Sequence, residues 1–440
     1  MTESGWSGRR LHLIGVGGAG MSGLAVVCRT LGCEVTGSDR SGSTYVDRVR
    51  AAGVEVSIGH HEANLPEGAE VVISSAIPEE NPELAAAREA GNPVLHRSDL
   101  LAEVCRDRNV IAVAGTHGKT TTTAMIAWAL EGTGRPFGFF VGGELPGLGP
   151  DGQSANAGWA AEGPIVVEAD ESDGSFLRLE PAVAVITNIE MDHHANWAGM
   201  SELEAAFSNF AGKARSVVLP ADDPVCERLA PEGAEVVRFS ETDPGPVELE
   251  LKVPGRHNLL NARAALAALM AAGEEPDACV AALRSFPGVG RRLEYKGEAL
   301  GASVYDDYAH HPTEVAASIE ALRSLGDGRV VVVFQPHLFS RTKAFAGDFG
   351  RALAGADRIV VMDVYPAREV PEGPLEGVSG LDVLRATADH GAGRQTVWAP
   401  DLESARRAVE RLVEPGAIVV TMGAGDVTTL SDALVGGEGP

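Results

Sequence analysis

From Asn109 the chain reads NVIAVAGTHGKTTTTAM, and this run narrows the possible folds more than any other stretch. Val110 to Ala114 is a short apolar run of the kind that forms a buried parallel strand. Gly115 and Gly118 permit a tight turn, and Thr120 onward reads as the first turn of a helix. Strand, glycine loop and helix in this order make a phosphate-binding loop. Bare backbone N–H groups and the positive end of the helix dipole attract phosphate oxygens; Lys119 is placed to reach the outer phosphates, and Thr120 to hold a bridging magnesium ion. The usual form of such a loop carries a glycine where this chain has Val113, so the sequence describes a shortened variant.

At 440 residues the chain is too long for one core, and about two to four domains are expected. The five cysteines, Cys28, Cys33, Cys105, Cys226 and Cys279, are scattered and contain no Cys-x-x-Cys pair. That spacing excludes a disulfide framework and a thiolate zinc site and predicts reduced, mostly buried thiols. No apolar stretch reaches membrane-spanning length and residues 1–10 carry no signal-peptide core, so a cytoplasmic location is expected. A net charge of −26 argues against nucleic-acid or anionic-membrane partners, which need a positive field. Anionic small molecules remain compatible where glycine loops, magnesium and a few placed Arg and Lys residues hold them.

Upstream, LHLIGVGGAGMSGLAVVCRTLGCEVTGSD reads as strand, glycine turn, helix and strand. Gly15, Gly17 and Gly20 fit G-x-G-x-x-G, and Asp39 closes the second strand about twenty residues past the turn. Alone, this fingerprint reads as an NAD or FAD site; physically it marks a diphosphate site without identifying the nucleotide. Further strands are predicted at Val54 to Val56 and at Glu70 to Ser75, and the first domain is expected to end near Asp107.

Past the phosphate-loop helix, Gly142 to Gly158 is glycine-rich without periodicity and reads as a loop. PIVVEADES then predicts a buried strand delivering Glu168, Asp170 and Glu171 at its carboxyl end, the edge where open α/β sheets collect ligands. AVAVIT predicts the next strand, followed by Asn188, Glu190, Asp192, His193 and His194. PGRHNLLNARAALAALM sets Arg256, His257, Asn258, Asn261 and Arg263 at the start of a helix, where the asparagines suit either caps or contacts to a purine nucleotide. GVGRR, Gly288 to Arg292, is a basic glycine hinge in an acidic chain.

The last third restarts the α/β pattern. Four predicted strands end in polar residues: one at Asp306–Asp307, one at Gln335-Pro336-His337, one at Asp363, and one at Gly423-Ala424-Gly425-Asp426. The fold class predicted is therefore α/β with three domains: a Rossmann-like domain at 1–107, a central P-loop ATPase-like domain with a mainly parallel sheet at 108–289, and a second Rossmann-like domain at 290–440.

Taken in order, GVGGAGMSGLA, AGTHGKTTTTAM, EADESDGSF, TNIEMDH, PGRHNLLNARAAL, GVGRR, DDYAHHPTE, QPHLFSRT and GAGD resemble the Mur ligase family over nearly the whole chain. Within it the resemblance is to the branch that joins L-alanine to UDP-N-acetylmuramate at the expense of ATP. It implies ATP and Mg2+ as cofactors and UDP-N-acetylmuramate and L-alanine as substrates, with an acyl phosphate as intermediate. It implies ATP binding by Gly115, Thr116, His117, Gly118, Lys119, Thr120 and Thr121, with His257, Asn258, Arg292 and Asp307. Lys119, Glu168 and His193 would be catalytic, and Thr120, Glu168 and His193 would ligate metal. The sugar nucleotide would lie on Gly15, Gly17, Gly18, Ala19, Gly20, Met21 and Ser22, near Asp39 and Ser75. His337, Arg341 and Thr342 would face the amino acid, although Leu338 and Phe339 stand where the branch carries a basic residue and a tyrosine. Phe207 occupies the region where some sister ligases carry a carbamylated lysine, so no carbamate is expected. Three rival readings remain: a ligase that adds a preformed peptide to the same sugar nucleotide, a nicotinamide oxidoreductase, which would leave the Gly115–Thr123 loop without a task, and a non-catalytic nucleotide-binding regulator, in which Lys119→Ala would leave the biological role intact.

Overall fold

The computed structural model of the chain describes residues 5–192, 197–242, 249–367, 369–391 and 393–436. It contains three sheets, mostly parallel. The first is built from β1 (Arg10–Ile14), β2 (Glu34–Asp39), β3 (Glu55–Ile58), β4 (Glu70–Ile73) and β5 (Val94–His96), in the order β3-β2-β1-β4-β5. The second uses β6 (Val110–Ala114), β7 (Gly138–Leu145), β8 (Ala155–Gly158), β9 (Ile165–Glu168), β10 (Val183–Ile186), β11 (Ser216–Pro220) and β12 (Glu235–Phe239). Their order is β12-β11-β10-β6-β9-β7-β8. The third consists of β13 (Glu294–Ala299), β14 (Ala302–Asp307), β15 (Val330–Phe334), β16 (Arg358–Val361), β17 (Gln395–Trp398) and β18 (Ile418–Met422), ordered β13-β14-β18-β15-β16-β17. Apart from the hairpins β7–β8 and β13–β14, the paired strands are parallel.

The chain divides into two compact units, 1–251 with 260–286, and 252–259 with 287–440, so the first two sheets share a unit. The strands at the middle of the second and third sheets are almost wholly apolar on both faces, as a parallel sheet covered by helices requires, whereas β1 at the middle of the first carries the buried His12. All five residues of β6, β15 and β18 are buried. The largest core cluster runs from Leu11 and Leu13 through Val110 and Ala112 to Phe207 and Phe210, joining the first two sheets. The five cysteines are free and buried. Among the described residues no helix is long and apolar enough to cross a membrane.

One expectation is corrected here. The segment read as a loop from Gly142 to Gly158 is a loop only over 146–154; its two ends form an antiparallel hairpin, in which β7 runs to Leu145 and β8 returns with Gly158 beside Phe139 and Ala155 beside Leu145. Its glycines hid the alternation that normally announces a strand. The cause is local, because a Cβ on Gly158 would come within 2.4 Å of the Phe139 ring and one on Gly142 within 2.7 Å of the Glu168 carboxylate.

Candidate active site

The phosphate loop leaves the buried end of β6, which lies between β10 and β9. Gly115 and Gly118 have φ values of +132° and +80°, conformations open to glycine and strained for other residues. A Cβ at Gly115 would also stand 2.1 Å from Thr187 Oγ1, and one at Gly118 2.4 Å from Asn261 Oδ1. The helix Lys119–Thr133 starts with Gly118 as N-cap, and no side chain caps it. Its positive end is therefore presented to an incoming anion.

Lys119 folds back over this loop. Its Nζ donates to Gly115 O at 2.6 Å and to Thr116 O at 3.1 Å, and it pairs with Glu171 Oε2 at 2.8 Å. Burial opposes the lysine's charge, but Glu171 and Asp170 outweigh it and hold the ammonium pKa above its ordinary value. Burial pushes the Glu171 carboxyl up to about 7 against the pull of Lys119. The lysine is thus kept charged and in place by the acidic strand end.

Next to it, Thr120 Oγ1 donates to Glu168 Oε1 at 2.9 Å, and the Gly142 amide donates to Glu168 Oε2 at 2.6 Å. The register explains the meeting, since Val113 of β6 pairs with Glu168 of β9 and both strands end at one edge. A hydroxyl and a carboxylate with hard oxygen donors, beside a phosphate loop, fit a magnesium ion. The third expected ligand, His193, lies outside the described residues.

A second strand end clamps the loop. Asn188 Oδ1 accepts from His117 N at 2.9 Å, and its Nδ2 donates to His117 O at 2.9 Å. Thr187 Oγ1 donates to the same carbonyl at 2.6 Å. Thr116 Oγ1 donates to Glu190 O at 3.0 Å and accepts from Glu190 N at 2.8 Å, while His117 Nε2 lies 3.0 Å from Glu190 Oε2. The sequence assigns no role in this loop to Thr187, Asn188 or Glu190, and it offers Asn261 as a cap or a purine contact. The available signal was a Thr-Asn pair closing a strand that parallel topology sets beside the loop strand.

In the first sheet Gly15, at φ +77°, and Val16 hang from Ser38 O at 2.8 and 2.9 Å. Gly17 N donates to Asp39 Oδ2 at 2.8 Å, and a Cβ there would meet that carboxylate at 2.8 Å. Gly18 is the N-cap of the helix Ala19–Thr30, which has no side-chain cap. Met21 and Ser22 are turned inward; Ser22 Oγ donates to Ala19 O at 2.9 Å and accepts from Asn156 Nδ2 at 3.0 Å. Ser75 Oγ donates to Asp173 Oδ2 at 3.2 Å.

In the other unit, Asn258 Nδ2 donates to Pro254 O at 2.7 Å, and burial lowers the pKa of His257. The Arg291 and Arg292 guanidiniums lie 4.9 and 5.1 Å from the centre of the Tyr308 ring. Burial raises the Asp307 carboxyl to about 6, although Ser318 Oγ and the Ala309 amide donate to it. His310 gives its Nδ1 proton to Tyr308 O at 2.8 Å, and burial drives its pKa down to about 3, so the ring is neutral. That ring meets His337 edge-on at 6.1 Å, and His337 stacks on Tyr365 at 6.0 Å. Arg341 and Thr342 are buried, and Thr342 Oγ1 donates to Leu338 O at 2.7 Å. The motifs DDYAHHPTE and QPHLFSRT are thereby brought together at the ends of β14 and β15, which flank β18.

Family models cover these three regions in succession. Residues 10–109 match the Mur ligase family, catalytic domain; residues 113–245 the Mur ligase middle domain; residues 291–425 the Mur ligase, glutamate ligase domain. The chain belongs to the Mur ligase family. Among curated Mur ligases it is 45% identical to the UDP-N-acetylmuramate–L-alanine ligase of Kineococcus radiotolerans, over 97% of this chain and 95% of that one. Among solved structures it is similar to the UDP-N-acetylmuramate-alanine ligase MurC of Thermotoga maritima, with a TM-score of 0.82 at 27% identity over 97% and 98% of the two chains. A murein peptide ligase from Psychrobacter arcticus shares the fold, with a TM-score of 0.72 at 24% identity over 98% of each chain.

Leu338 has a positive φ of +68° and is the N-cap residue of the helix Phe339–Leu353. Phe207 is fully buried, with its ring 5.2 Å from that of Phe176, and so belongs to the aromatic core.

Proposed function

We propose that the chain joins L-alanine to UDP-N-acetylmuramate with cleavage of ATP to ADP and phosphate, in the cytoplasm, as a step of peptidoglycan precursor synthesis. The observation that carries this reading is Lys119 held over an uncapped helix start beside the Thr120–Glu168 pair, in a chain matched end to end by curated L-alanine ligases. The three segments 1–107, 108–289 and 290–440 would bring the sugar nucleotide, ATP and the amino acid respectively.

The lactyl carboxylate attacks the γ-phosphorus of ATP, the bond to the bridging oxygen breaks, and an acyl phosphate and ADP result. The alanine amine, having lost its proton, then adds to the acyl carbon, and phosphate departs as the amide forms. In the first step Lys119 leaves Glu171 and follows the charge that moves onto the departing ADP. The amides that follow Gly118 face the phosphates. Magnesium, held by Thr120, Glu168 and His193, would neutralise further phosphate charge. Asn258, His257, Arg292 and Asp307 would contact ATP, and His337 and Arg341 the amino acid. Thr342, whose hydroxyl is spent on Leu338 O, would act by fixing that turn.

The test is a coupled assay of ADP release. Release is expected to require UDP-N-acetylmuramate, magnesium and L-alanine together. Lys119→Ala should lower kcat by roughly 10²–10³-fold, the cost of removing one such charge-stabilising group. Full activity in that variant would sink the mechanism. The peptide-adding alternative is addressed by replacing L-alanine with the tripeptide L-alanyl-γ-D-glutamyl-meso-diaminopimelate, which is expected to support no turnover.

A further inference from the structure

Arg97 has no place in the catalytic scheme above, yet it stands between the two glycine loops. It is the first residue of the helix Arg97–Cys105, whose start is fixed by a capping box between His96 and Asp99. Its Nη2 is 3.0 Å from Asp170 Oδ2 and 3.6 Å from Asp173 Oδ2. Ser75 Oγ donates to that same Asp173 oxygen. Its Nη1 lies 3.3 Å from the position a Cβ on Gly20 would take, which sets the guanidinium against the first turn of the helix Ala19–Thr30.

This placement has the wrong sign for the helix. The start of Ala19–Thr30 is a positive pole with no side-chain cap, and a guanidinium brought against it is repelled. Asp170 and Asp173 hold the arginine there at that electrostatic cost. The arrangement becomes favourable when an anion enters between the two positive partners. A diphosphate offers oxygens to the helix amides on one side and to the planar guanidinium fork on the other, a geometry that arginine meets and a point-charge ammonium does not. Asp170 adds a second consequence. Its Oδ2, 3.0 Å from Arg97 Nη2, occupies a donor that the ligand would also use.

We propose that Arg97 is a positioning residue for the diphosphate of the sugar nucleotide, held ready by Asp170 and Asp173 and shared between those carboxylates and the ligand once it binds. This rests on the function proposed above, which puts a UDP-sugar on the Gly15–Ser22 loop. Asp170 and the diphosphate then compete for one guanidinium, and removing the competitor strengthens ligand binding. A purely structural clamp between the two loops behaves differently, since loosening either end of a clamp disorders the site.

The experiment is calorimetric titration of the full chain with uridine, UDP and UDP-N-acetylmuramate, together with steady-state kinetics and thermal melts. In Arg97→Gln the Kd for UDP and the KM for UDP-N-acetylmuramate are expected to rise at least tenfold, with uridine affinity and kcat within about threefold of the parent. Arg97→Lys should recover part of the loss. Asp170→Asn, which keeps the side-chain oxygen that accepts from Ser172 N, should bind UDP at least threefold more tightly than the parent. Unchanged UDP affinity in Arg97→Gln overturns the proposal; so does equal loss of uridine and UDP, or weaker UDP binding in a melted-normally Asp170→Asn. If Arg97→Gln does not fold, the Asp170→Asn and Arg97→Lys titrations decide between the same outcomes. A parent chain that binds no UDP-sugar overturns the functional reading itself, whereas a parent that binds it with indifferent variants overturns only the role of Arg97.

Discussion

At the scale of single residues, Glu83 shows how surrounding donors hold a buried charge. Glu83 is fully buried beneath the first sheet, and burial alone would raise its pKa. Hydrogen bonds from His12, Ser38, Asn64 and the His61 amide outweigh that and hold it at about 2. A carboxyl depressed from 4.5 to about 2 stabilises the native state fully above the unfolded value and loses that contribution as pH falls toward 2. The difference corresponds to about 3 kcal/mol at neutral pH. Glu83→Gln should therefore melt well below the parent at pH 7, and the gap should narrow as pH falls from 5 to 3. A gap independent of pH would contradict the assignment. Residue types also mark the limit of sequence reading. Lys119, Thr120 and Glu168 stand in recognisable motifs. Arg97 and Glu83 do not, because their partners are distant in the chain and only folding brings them together.

Among the elements, the contact between the end of β10 and the phosphate loop is the one on which nucleotide binding depends most directly. Asn188 satisfies both the amide and the carbonyl of His117, which keeps the loop open with its remaining amides turned to the ligand. Asn188→Ala should raise the Kd for Mg·ATP about tenfold, the value of one to two lost hydrogen bonds. Its effect on UDP binding should stay within twofold, and calorimetry measures both. Strand positions in all three sheets could be read from their apolar runs, as β6, β15 and β18 illustrate. The β7–β8 hairpin could not, because its glycines answer to close packing against Phe139 and Glu168, which sequence periodicity does not encode. Edge strands such as β12 and β17, half-exposed and without a continuous apolar run, escaped for a related reason.

For the whole molecule, a net charge of −26 makes self-repulsion a general term in stability. Screening weakens that repulsion within a Debye length of about 8 Å at physiological ionic strength. The melting temperature of the substrate-free protein should rise by a few degrees between 10 and ~150 mM sodium chloride, a range chosen to cross that regime. A fall over this range would mean that surface ion pairs outweigh net repulsion. The three α/β sheets were legible because each begins a new run of strands whose polar residues collect at the carboxyl edge. What lay beyond reach was the way the loops depend on one another, which is set by long-range contacts.

That dependence bears on how the protein is made. The amide of His117 is held by a side chain 71 positions later, and Gly118 abuts Asn261 further still. A nascent chain that has just released the helix Lys119–Thr133 therefore has the complete glycine-lysine-threonine signature and nothing to hold it in shape. Nucleotide capture by the growing polypeptide should be weaker until the middle segment has left the ribosome, so ATP stabilises the finished fold more than its first half.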